Sequence, residues 1–152
     1  MSLKTILLIL VSVLFGTSCA EDPECTQEVP YDFFTVVFYD KNDYEAKNVK
    51  FDFILNSDST LVYEKQDSSE TLSAIRFQLN PNADTSEYYF FTGVKADTLQ
   101  VIYSRELEWL STECGPNFFY DGLDGVSETF DSINVVQTII DASVDENIRL
   151  YN

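Results

Sequence analysis

The sequence predicts an all-β protein: a single antiparallel β-sandwich domain of about seven to nine short strands, following a removable leader. Three observations carry this expectation. Apolar residues recur at every second position through most of the chain beyond residue 30. Clusters of Asn, Asp, Gly, Pro and Ser break those alternating runs at short intervals. No extended run of apolar residues at helical spacing interrupts the pattern.

The first expected strand, Thr35 to Asp40, is dense in β-branched and aromatic residues and stops at Asn42-Asp43. In Val49 to Asn56, Phe51, Phe53 and Leu55 alternate with Lys50, Asp52 and Asn56, so the three apolar side chains are expected on one inward face. Asn56-Ser57-Asp58-Ser59 turns the chain into Thr60 to Lys65. Ser73 to Leu79 points Ile75, Phe77 and Leu79 inward against Arg76 and Gln78, and Asn80-Pro81-Asn82 ends it. Glu87 to Thr92 carries four successive aromatics before Gly93, and Thr98 to Leu110 sets Leu99, Val101 and Tyr103 on one side. After Gly115-Pro116 comes Phe118 to Tyr120, closed by Asp121-Gly122. Ser132 to Asp141 offers Ile133, Val135 and Ile139 as inward residues, and Asn147 marks the last break and opens Asn147 to Tyr151. A single sheet of this size would leave one apolar face wet, so two packed sheets are expected.

The leader is excluded from the fold. Lys4 precedes an apolar run from Ile6 to Phe15, and the small residues Gly16, Thr17 and Ser18 lead into Cys19. The run is about half of the roughly 20 residues that a membrane-spanning helix needs. A cysteine straight after small residues resembles the lipobox of bacterial lipoproteins, in which the thiol is acylated and becomes the new N-terminus. Gly16 departs from the Leu common three positions before that cysteine. The resemblance implies a signal peptide over residues 1–18, a lipidated N-terminus and acidic linker over 19–30, and a sandwich over 31–152. An ordinary cleaved signal, with Cys19 free or disulfide-bonded, is the alternative. In the linker, Glu21, Asp22 and Glu24 read either as solvating residues or as the acidic patch that directs some lipoproteins to the cell surface.

Charge and cysteines narrow the classes. The whole chain carries a net charge of −17, and removing the leader with its Lys4 takes this to about −18. No basic cluster offsets that charge, which excludes nucleic acid as a partner. Disorder is excluded by a 45% hydrophobic content that includes 12 Phe and 9 Tyr. With Cys19 lipidated, Cys25 and Cys114 are left as a pair in an oxidising compartment, where a disulfide is the expected state and two free thiols the alternative. The bridge would close a loop of 90 residues, for which chain entropy gives an upper figure of roughly 4.5 kcal/mol. Six residue steps separate Cys19 from Cys25, about 20 Å fully extended, so the bridge would hold the domain close to the bilayer.

The absence of histidine removes Ser-His-Asp and Cys-His catalysis and the commonest zinc and copper ligand. Among 26 acidic residues some pair always falls at glycosidase spacing, so that signal carries no weight by itself. No catalytic residue and no dedicated metal site are therefore expected. Calcium is the one cofactor candidate, through Asp40 and Asn42 in "DKNDYE" and Asp121 and Asp124 in "DGLDG". Neither stretch fits an EF-hand: counted from Asp40, the sixth position is Glu45 where glycine is required, and turn chemistry accounts for both. The candidate binding aromatics are Tyr88, Tyr89, Trp109, Phe119 and Tyr120. Successive strand residues face opposite ways, so "YYFF" cannot all enter one core, and a ring left over can serve as a sugar platform or a protein anchor.

Cys25, "VVFYD" (Val36 to Asp40), "LSTECG" (Leu110 to Gly115), "FFYDGL" (Phe118 to Leu123), "SINVV" and the closing "ENIRLY" together resemble a group of small Bacteroidetes envelope lipoproteins carrying a domain of unknown function. Pro116 departs from the aromatic usually found after the Cys-Gly step. The resemblance implies a lipidated Cys19 and a paired Cys25 and Cys114, and it brings no catalytic residues. The expected function is a non-catalytic interaction or accessory module of the outer membrane, anchored by lipid and contacting an envelope protein. A surface module for glycan or calcium is the alternative, and a carboxylate-dependent hydrolase stands third.

Overall fold

The computed structural model describes residues 32–112 and 114–152. The expected leader, Cys19, the linker and Cys25 lie outside the described residues. Among the described residues there is no helix, and nine strands form two packed sheets. One sheet contains β1 (Phe33–Tyr39), β4 (Ala74–Gln78), β8 (Ser132–Val135) and β9 (Ile148–Tyr151), in the order β4-β1-β9-β8. The other contains β2 (Phe53–Asn56), β3 (Leu61–Glu64), β5 (Thr85–Thr92), β6 (Lys95–Ser111) and β7 (Gly115–Val126), in the order β3-β2-β5-β6-β7. Each expected segment overlaps one of these strands. The all-β sandwich is thus present, with one pairing that is not antiparallel: β9 runs parallel to β1, bringing the end of the chain back beside its first strand.

The core lies between the sheets and is aromatic. Phe34, Phe38 and Phe77 from the first sheet meet Tyr88 and Phe90 from the second, all buried. Phe77 lies 4.3 Å from Tyr88 and 5.7 Å from Phe90, centroid to centroid, so the rings interlock across the interface. The alternation holds on β6, where Leu99, Val101 and Tyr103 are all buried. It holds on β5 as well, where Tyr88 and Phe90 face inward while Tyr89 and Phe91 are half-buried on the outer face.

Two expected faces are corrected. Phe51, Phe53 and Leu55 do not share one: Phe51 and Ile54 are buried, and Phe53 and Leu55 are half-buried on the opposite side. Asp52 is the cause. Its carboxylate pairs with Lys65 and accepts the Gly93 N–H at 2.6 Å, and the chain bends there before β2 begins, so the alternation restarts in the other phase. Phe53 then stacks on Phe91 at 4.4 Å outside the core. The second correction concerns Ile139, which is 54% exposed while Ile140 is buried in its place. The strand expected to reach Asp141 ends at Val135 because the Asn147 carbonyl accepts two successive N–H groups, from Val136 at 2.9 Å and Gln137 at 3.3 Å. A carbonyl that binds both neighbours breaks the every-second-residue ladder.

Asn147, expected as a turn residue, is instead buried and hydrogen-bonded on every side. Its Oδ1 accepts the Thr35 N–H at 2.9 Å, and its Nδ2 donates to the carbonyls of Gln137 at 3.2 Å and Ile139 at 2.9 Å. Its N–H donates to Thr35 O at 2.9 Å. One side chain thereby links β1, the irregular segment after β8 and the entry to β9.

Candidate functional site

β6 is 17 residues long, and its pairing with β5 ends at Ile102. Among the described residues, β6 and β7 beyond that point pair only with each other and form a two-stranded arm, in which Arg105 faces Tyr120, Leu107 faces Phe118 and Trp109 faces Pro116. Directly opposed residues share a face. At the base of the arm this face is well packed. Tyr120 meets Tyr103 edge-on at 5.8 Å, and the Arg105 guanidinium lies 5.3 Å from the Phe118 ring while donating from Nε to Asp84 at 2.6 Å. Toward the tip the packing stops: Leu107 is 58% and Trp109 68% exposed. The other face carries Glu106 opposite Phe119 and Glu108 opposite Asn117. Cys114 sits half-buried in the turn at the tip, where its N–H donates to Ser111 Oγ at 3.0 Å and Gly115 takes the positive φ of +73° that follows.

The candidate aromatics are therefore distributed between two places. Trp109, Phe119 and Tyr120 belong to the arm, with Trp109 and Tyr120 on one face and Phe119 on the other. Burial raises the Tyr120 phenol above its ordinary pKa. Tyr88 and Tyr89 are on β5. Tyr88 is only 2% exposed, its hydroxyl donates to Gln78 O at 2.6 Å, and burial pushes its pKa well up. The Tyr89 hydroxyl donates to Glu87 Oε2 at 2.7 Å on the outer face, a bond to a carboxylate that raises the Tyr89 pKa. The five rings do not converge on one platform.

The acidic loop residues close their own turns. Asp40 Oδ1 accepts the Asn42 N–H and Nδ2, each at 2.8 Å, and chiefly the backbone bond holds the Asp40 carboxyl below its usual pKa. Asp121 and Asp124 each accept the N–H of the glycine that follows, at 2.6 and 2.8 Å. Among the described residues no three His, Cys, Asp or Glu side chains are gathered in a way that would hold a metal ion.

One feature was not foreseen from the sequence. A groove of about 580 Å3 opens between the edge strands β3 and β4, lined by Asn56, Asp58, Leu61, Arg76, Asn80 and neighbouring residues. Its polar lining comes from Asn, Asp and Ser positions that read along the chain as turn residues, and the gap itself exists only where two sheet edges approach.

No curated protein matches the chain, and no solved structure does. The family of unknown function DUF6452 matches residues 46–152, which takes in every strand from β2 to β9 and with them the arm, Asn147 and all of the groove's lining but Phe33. A match over that much of the sandwich makes this chain a member of the DUF6452 family.

Proposed function

We propose that this protein is a non-catalytic interaction module of the bacterial outer membrane, anchored by lipid on Cys19 and contacting an envelope protein through the tip of the β6–β7 arm. The observation that carries the reading is the exposure of Leu107 and Trp109 on a strand pair that leaves the sandwich. A tryptophan beside an aliphatic residue, on an arm whose opposite face carries Glu106 and Glu108, has the composition of an interface centre. The proposal assigns no cofactor and no catalytic group. The glycan or calcium alternative has less support on the residues first considered, because Tyr88 is sealed in the core and Asp40, Asp121 and Asp124 serve their turns.

The anchor and the arm are joined in this reading by a Cys25–Cys114 disulfide, since Cys114 is at the arm's tip and Cys25 is six steps from the lipidated residue. Cys114→Ser is expected to lower stability by about 2 to 5 kcal/mol in denaturant unfolding. An unchanged curve would remove the bridge from the proposal.

The contact itself is tested with a photo-crosslinking residue at position 109 in native membranes. A discrete protein adduct is expected there and not with the crosslinker at Val94, which is fully exposed in the turn that precedes β6, at the end away from the arm. Adducts to lipid alone, or none at all, would overturn the contact.

A further inference from the structure

The groove between β3 and β4 has the chemistry of a ligand site, and it is independent of both anchor and arm. Its volume falls in the range of small-molecule sites. Leu61 and Pro81 supply apolar surface. Asn56 Oδ1 accepts the N–H groups of Asp58 at 3.1 Å and Thr60 at 2.8 Å, and Asn80 Oδ1 accepts that of Asn82 at 2.9 Å. An amide whose oxygen is held in this way has its NH2 end fixed in place. Among the described residues neither of those Nδ2 groups makes a hydrogen bond, so both are pre-set donors.

Arg76 adds a third donor. Arg105 and Arg149 are each paired with an acid, but Arg76 has no such partner among the described residues, although the chain is strongly acidic. Two carboxylates complete the lining: Asp58, and Glu87, whose Oε2 already accepts the Tyr89 hydroxyl. Donors and charged acceptors thus stand together beside apolar surface.

A hydroxyl both donates and accepts, so a ligand rich in hydroxyls satisfies the two sets at once. An anionic ligand would meet Asp58 and Glu87 within a chain of net charge −17, and a cationic one would meet Arg76. An added peptide strand is poorly served, because the two edges are only four and five residues long. We infer that the groove binds a neutral saccharide, whose hydroxyls bridge Arg76, Asn56 and Asn80 to Asp58 and Glu87 while its C–H faces rest on Leu61 and Pro81.

The test is calorimetric titration of the full-length protein, in a detergent without a sugar headgroup, against neutral oligosaccharides, uronic-acid oligomers and an extended peptide. Binding of one or more neutral oligosaccharides is expected. It should weaken about tenfold in Arg76→Ala and in Asp58→Ala, each corresponding to loss of one charged hydrogen-bonding group. Trp109→Ala should leave it unchanged, which separates this site from the arm. No binding by any neutral oligosaccharide, preferential binding of the acidic oligomer or the peptide, or affinity undiminished in both groove variants would each overturn the inference.

Discussion

Phe90→Ala is expected to remove about 3 to 5 kcal/mol of folding stability, as large-to-small changes of buried aromatics do. Phe90 is fully buried at the middle of the sandwich, and four rings surround it: Phe51 at 5.1 Å, Phe130 at 5.2 Å, Phe77 at 5.7 Å and Phe38 at 6.3 Å. Two of these come from the opposing sheet and two from segments outside the strands, so the cavity would open where four parts of the chain converge. A rigid aromatic surround collapses poorly into such a hole, which places the cost toward the upper part of the range. Denaturant unfolding of Phe90→Ala beside Phe91→Ala gives an internal comparison. Phe91 is half-buried on the outer face, stacked on Phe53, so its loss should be the smaller. Equal losses would mean that the space between the sheets is not the principal core.

Asn147→Ala is expected to cost about 2 to 4 kcal/mol, because it leaves buried polar groups unsatisfied while changing little apolar contact. The Thr35 N–H would lose its acceptor, and the carbonyls of Gln137 and Ile139 would lose a donor. The segment after β8 should then exchange its amide hydrogens faster than β1, since this side chain holds the carbonyls of Gln137 and Ile139 in addition to the segment's backbone bonds. Asn147→Asp sharpens the test. It keeps an acceptor for Thr35 but aims a carboxylate at two carbonyls in a buried site, which raises the folded-state pKa of the new carboxyl above its unfolded value near 3.9. The folded state then holds its proton more tightly than the unfolded state. The penalty is absent below the unfolded pKa and grows as pH rises through the folded one. Stability of Asn147→Asp relative to the parent should therefore fall between about pH 4 and pH 7. A flat difference over that interval would mean that the site is open to water.

The arm was visible in the sequence only in part. Trp109 stood out as the single tryptophan, and β6 was expected to be long, yet alternation alone gives Leu107 and Trp109 the same inward reading as Leu99 and Val101. What separates them is where pairing with β5 stops: residues of β6 up to Ile102 pair with β5, and those after it, among the described residues, pair with β7 alone. The groove was not visible, because its lining comes from Phe33 and three separate stretches, each of which reads as an ordinary turn or strand.

By itself, the sequence determined what depends on near neighbours. Nine strand segments, most of the breaks between them and the inward faces of β4 and β6 follow from a two-residue period and from turn-forming side chains, which act within a few residues, whereas β7 runs through the expected breaks at Gly115-Pro116 and Asp121-Gly122. Tertiary structure alone decided the rest. The phase of β2 shifts because Asp52 reaches Lys65 and Gly93, and β8 stops short because Asn147 engages Val136 and Gln137. β9 lies parallel to β1 through contacts that span most of the chain. In each case the deciding partner is remote in sequence or is met across the ladder, and a local pattern carries no term for an energy supplied by a residue it does not contain.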